Sequence, residues 1–204
     1  MNANAEELEL KDRLNLIENM IAQGRRTTQS WGWSFVLWGV AYYVAIAWAT
    51  WARFGLAWPI TMTAAGILTG FFIVRMRGNR PPTTMGRAIS SIWCSMGISM
   101  FILLDAMGFR APHVDGNIMI AVASTMIGTA NAASSMALRW KAQFACAVAW
   151  WAAAVVSCFG TEAQGAIAFL TAIFLCQIVF GVYCMIREAG ERKRRNGIQG
   201  AAHA

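Results

Sequence analysis

The sequence predicts an all-α, polytopic membrane protein: a bundle of six transmembrane helices with an amphipathic helix in front of it. Three observations carry this. The chain is 57% hydrophobic and only 13% charged over 204 residues, too apolar to clothe a soluble domain of that length. Residues 31–52 contain no charge, and a helix of that length at about 1.5 Å per residue crosses a hydrocarbon core of roughly 30 Å. The basic residues cluster on alternate connections between such runs, as a chain threading back and forth through a bilayer requires.

Residues 1–30 come first and are read as an amphipathic helix and linker. Leu10, Leu14, Ile17 and Ile21 step by four, three and four, the spacing of one apolar helix stripe. Around them Glu6, Glu7, Glu9, Asp12 and Glu18 outweigh Lys11 and Arg13. Helices that lie on anionic lipid are usually basic on the polar face, so this stripe is read as binding protein. Two occupants stay open: the chain's own basic tail at 191–195, or a separate partner or second copy. Gly24 is expected to close the helix. About thirty residues, several of them acidic, precede the first apolar run, so no cleavable signal is expected and the first span serves as its own insertion signal.

The transmembrane domain covers 31–186. Span one, 31–52, is fenced by Trp31 and Trp33 at one end and Trp48 and Trp51 at the other, where indoles prefer the membrane–water interface. Span two, 57–76, opens on Trp58-Pro59, a first-turn position where proline's missing N–H costs little. It carries Gly66 and Gly70 in a GxxxG spacing that lets another helix come close. The connection 77–87 holds Gly78, Pro81, Pro82 and Gly86 among arginines, a composition that breaks helices.

Span three, 88–108, carries Ser91, Ser95, Ser99 and Asp105 within about a third of its circumference, a polar face expected to look into the bundle. Span four, 117–138, steps Ser124, Gly128 and Ala132 by four, which favours tight packing. Spans five and six cover 142–160 and 165–186, and a basic tail follows over 187–204 with a disordered end.

Charge orients the bundle. With the N-terminus cytoplasmic, fifteen of the seventeen Lys and Arg residues lie inside and only Arg53 and Arg110 outside. That bias predicts a cytoplasmic (inner) membrane protein with both termini in the cytoplasm.

Several function classes drop out. A nucleic-acid binder needs its basic residues on one folded face, and here they lie between apolar runs, so the net charge of +7 is topological. Cys94, Cys146, Cys158, Cys176 and Cys184 all sit in apolar runs without CxxC spacing, and no metal or cofactor is expected. No span holds a histidine for haem or a lysine for a Schiff base, and the loops carry no phosphate-cradling glycine motif or HExxH helix. No catalytic residues are assigned.

Two readings remain. In the first, the protein is a regulatory or assembly subunit of the lipid bilayer that engages a cytoplasmic or membrane partner through Leu10, Leu14, Ile17 and Ile21. In the second, it is a small oligomeric transporter or channel with a path along spans three, four and six lined by Ser95, Ser99, Asp105, Asn131 and Gln177. Asp105 is the one acid within a span and pairs with Arg110 or Arg53 in the structural alternative. Asn131 and Gln177 are expected at similar depth, where they either bridge helices or hold a ligand. Trp150 and Trp151 sit mid-span and are read as packing residues.

Overall fold

The computed structural model describes residues 3–52, 56–77, 84–110 and 115–202. These residues form helices α1 (Ala3–Ser30), α2 (Gly32–Trp51), α3 (Ala57–Arg77), α4 (Thr84–Arg110), α5 (Gly116–Leu138), α6 (Lys141–Phe159), α7 (Glu162–Ile173) and α8 (Phe180–Ala202). A π-helical segment, Phe174–Val179, joins α7 to α8 without a break. No strand occurs among the described residues. Among the described residues six helices are long and apolar enough to cross a membrane: α2 to α6, and the continuous rod from α7 into α8. This is the architecture of a multi-pass membrane protein.

The helix ends follow from local chemistry. Asp115 caps α5 by accepting from the Asn117 N–H at 2.9 Å. Thr161 and Gln164 close a reciprocal capping box at the start of α7, with bonds of 2.9 and 3.3 Å. The α5–α6 turn is a Schellman-type stop. Arg139 takes φ 48°, the Trp140 N–H bonds the Ser135 carbonyl, and the Arg139 N–H bonds that of Met136.

Two expectations about helix ends are corrected. Gly24 does not end α1, which continues as a helix to Ser30. A glycine inside a helix costs about 1 kcal/mol relative to alanine, and here tertiary packing outweighs it. A Cβ at Gly24 would lie 2.5 Å from Met85 and 2.6 Å from Leu138, so only glycine lets α1 come this close to α4 and α5. The basic tail also stays helical, to Ala202. Arg192 pairs with Glu188 one turn back at 2.7 Å, the side-chain spacing that supports an exposed helix.

The core is built around α5. Of its apolar window 56% is buried, against 17% for α3 and 11% for α4, so α5 is the centre and α3 and α4 are the most open spans. Around it, α6 carries the fully buried Trp150, whose ring meets Phe169 of α7 edge-on at 5.7 Å. Phe35 of α2 stacks edge-on against Trp93 of α4 at 5.3 Å and Phe180 of α8 at 5.4 Å, and Trp140 adds to the same cluster. Lipid tails are as apolar as these side chains, so the cluster holds the helices together by close packing, with little hydrophobic transfer. α2 and α8 approach backbone to backbone, where a Cβ at Gly32 would sit 2.7 Å from the Gly181 carbonyl oxygen.

Candidate functional site

The apolar stripe on α1 does not end with Ile21. Leu10, Leu14, Ile17, Ile21, Gly24 and Thr28 step by four and three along one helix face. The lower end of that face is used by the protein itself: Gly24 lies on Met85 and Leu138, and Thr28 is buried, its hydroxyl donating to the Gly24 carbonyl. The upper end is open. Leu10, Leu14 and Ile17 are 59%, 54% and 52% exposed, with Leu16 and Met20 exposed beside them and Ile21 half-buried at the boundary.

The fold-back alternative therefore holds for the base of the helix alone. There the ion pair has the opposite sense to the expected one, Arg26 of α1 reaching Glu191 of α8 at 3.7 Å. Above the base, Lys11 pairs with Glu7 at 2.8 Å and Arg13 with Glu9 at 2.5 Å along the helix's own surface. Exposed pairs of this kind contribute about 0.3–0.5 kcal/mol each and hold the arm helical more than they bind anything.

Arg25 fixes the base. Its Nε donates to the Leu138 carbonyl at 2.6 Å and its Nη2 to the Arg139 carbonyl at 2.5 Å. These oxygens close α5 at the left-handed residue Arg139, where the helix dipole gathers partial negative charge. In the sequence Arg25 is one of the fifteen basic residues counted as inside, and a topological charge count gives no signal for this second role.

The intramembrane candidates do not come together. Ser91, Ser95 and Ser99 are exposed on the outer side of α4, which corrects the expectation that they face inward. The inward stripe of α4 is instead Ile89, Trp93, Met96 and Met100. Ser91 and Ser95 tolerate an apolar outside because they satisfy themselves within the helix. Ser91 donates to the Arg87 carbonyl at 2.9 Å and Ser95 to that of Ser91 at 2.8 Å. Asp105 lies within α4, but its side chain and its expected pairing with Arg110 or Arg53 fall outside the described residues.

Asn131 and Gln177 are both buried, yet they do not bond each other. The Asn131 amide donates to its own helix, to the Ile127 carbonyl at 3.0 Å. A third buried amide, Gln143 at the start of α6, escaped the sequence reading because it stands two residues beyond the charged turn Arg139-Trp140-Lys141. Gln143 Nε2 and Oε1, Asn131 Oδ1, Gln177 Oε1, Ser124 Oγ and Ser134 Oγ have no hydrogen-bond partner among the described residues. Trp150 is buried against Phe169, its indole N–H without a partner among the described residues, and Trp151 sets its ring edge over Gly128.

Comparison with known proteins leaves the geometry to stand alone. No family model matches the chain, and no curated protein or solved structure is similar to it. Among the described residues no three His, Cys, Asp or Glu side chains gather where a metal would bind. A shallow open groove of ≈ 580 Å³ between α6 and α7 is walled by Val155, Val156, Phe159 and Ile167. The polar side chain at its rim, Gln164, is engaged in the capping box.

Proposed function

We propose that the protein is a non-catalytic component of the cytoplasmic (inner) membrane, a regulatory or assembly subunit, with both termini in the cytoplasm and α1 as the arm that engages a protein partner. One observation carries the reading: a continuous apolar stripe whose base is latched to α4 and α5 while Leu10, Leu14 and Ile17 stand more than half exposed. A helix in water keeps such a stripe only where something covers it. The acidic surround of the stripe favours a protein over an anionic lipid surface.

The experiment is gentle extraction of the complex from its own membrane, with and without residues 3–20. This truncation leaves Gly24, Arg25 and Thr28, and with them the bundle. A subunit or second copy lost with the arm supports the reading, and an unchanged complex overturns it.

A second reading, transport of a small solute or cation, is favoured by the buried amide oxygens of Asn131, Gln143 and Gln177 that have no partner among the described residues. Flux assays on Asn131→Ala and Gln177→Ala test it, and unchanged flux in a working assay removes it.

A further inference from the structure

We propose that the occupant of the α1 stripe is α1 of a second copy of this chain, in a short parallel coiled coil. The inference rests on the reading of α1 as an assembly arm and names what the arm binds.

The stripe follows a heptad: Leu10 at d, Leu14 at a, Ile17 at d and Ile21 at a. In a parallel pair each g position faces the e position of the next heptad on the other helix. Arg13 falls at g and Glu18 at e, so each helix offers the charge its copy needs, twice across a twofold axis. By sequence the preceding heptad repeats the match with reversed sign, Glu6 at g and Lys11 at e. An antiparallel pair would set g against g and lose this match. Both copies sit in one membrane with α1 at the same end of the bundle, so arms that rise from it side by side run parallel.

The base of the stripe touches Met85 of α4 and Leu138 of α5, and α4 is the span with the smallest buried share, 11%, so the bundle has an open flank beside the arm where a second bundle can stand. Only two heptads are free, too few for a stable coiled coil of untethered peptides. Anchoring both arms in one bilayer makes their pairing close to intramolecular and raises the effective concentration.

The test uses the full chain with Cys94→Ser and Cys158→Ser, which remove the two exposed thiols. Leu14→Cys, at a, is expected to cross-link into a covalent dimer under mild oxidation, whereas Asn15→Cys, on the outer face at b, cross-links at the collisional rate only. Arg13→Glu then sets like charges at both symmetric pairs and lowers the Leu14→Cys cross-linking rate about tenfold. Adding Glu18→Arg restores it.

The double exchange separates the occupants. It recreates complementarity between two copies but not with a fixed foreign surface, and the Glu9–Arg13 helix pair is lost in single and double variants alike. Equal cross-linking at positions 14 and 15, or failure of the double exchange to recover, overturns the proposal. A foreign subunit still released by removing residues 3–20 would then leave the assembly reading standing, and no release would remove both.

Discussion

Arg25 Nε donates to the carbonyl oxygen of Leu138 at 2.6 Å, joining two residues 113 positions apart. The bond makes the base of the arm part of the end of α5, the most buried span, so a force on α1 is delivered to the centre of the bundle. Its neighbour Arg139 accepts from the same guanidinium while holding a left-handed backbone conformation that a non-glycine residue takes at some cost.

Arg25→Ala is therefore expected to destabilise the bundle by about 1–3 kcal/mol, the cost of removing a charge-assisted pair of bonds from carbonyls at a helix end. Arg25→Lys should recover only part of this, because an ammonium does not reproduce the planar fork. Denaturant unfolding in detergent measures both, and a loss below about 0.5 kcal/mol for the alanine variant would contradict the latch.

Gly32 and Gly66 make opposite predictions. A Cβ at Gly32 meets the Gly181 carbonyl at 2.7 Å, and backbone cannot swing aside as a side chain can. Gly32→Ala should cost about 1–3 kcal/mol. A Cβ at Gly66 meets nothing within 4 Å, so Gly66→Ala should leave the stability of a single bundle unchanged or slightly raised by helix propensity.

The adjacent indoles of α6 separate in the same way. Trp150 is fully buried against Phe169, and Trp150→Ala should cost about 3–5 kcal/mol. Trp151 is 36% exposed, and its alanine variant should cost clearly less. Equal losses would mean that the two rings share burial in a way this packing does not allow.

A reporter fused after residue 204 should be active only in its cytoplasmic form, since fifteen basic residues then lie inside against two outside. Activity of an exported reporter at that position would reverse the topology.

The helices were legible because lipid imposes a simple rule, that backbone polar groups pair within the span, and uncharged runs of the right length reveal it. What sequence could not decide was which side of a helix looks inward. Ser91 and Ser95 look like a buried polar face, but each spends its hydroxyl on the turn below and needs no partner from the bundle. Gly24 reads locally as a stop signal, and only its contact with Met85 and Leu138 makes it a seat. The stripe of Leu10, Leu14 and Ile17 was legible as apolar; the fact that its lower neighbours are already occupied was not.

The π-helical segment in the last span carries a consequence of its own. Within it, Cys176 donates its thiol to the Cys146 carbonyl of α6 at 3.7 Å, while the next residue, Gln177, lies against Gly39 of α2. The wider winding acts as a phase slip: the rod keys into one neighbour above it and, a few residues on, into another through Gly181 and Gly32. Deleting a single residue between 174 and 179 would thus remove the extra residue of the wide turn and let the rod close as an ordinary α-helix, with Gly181 kept near its seat on Gly32. The same deletion in the α-helical stretch before 174 would instead turn everything beyond it by about 100° and carry Gly181 away from Gly32.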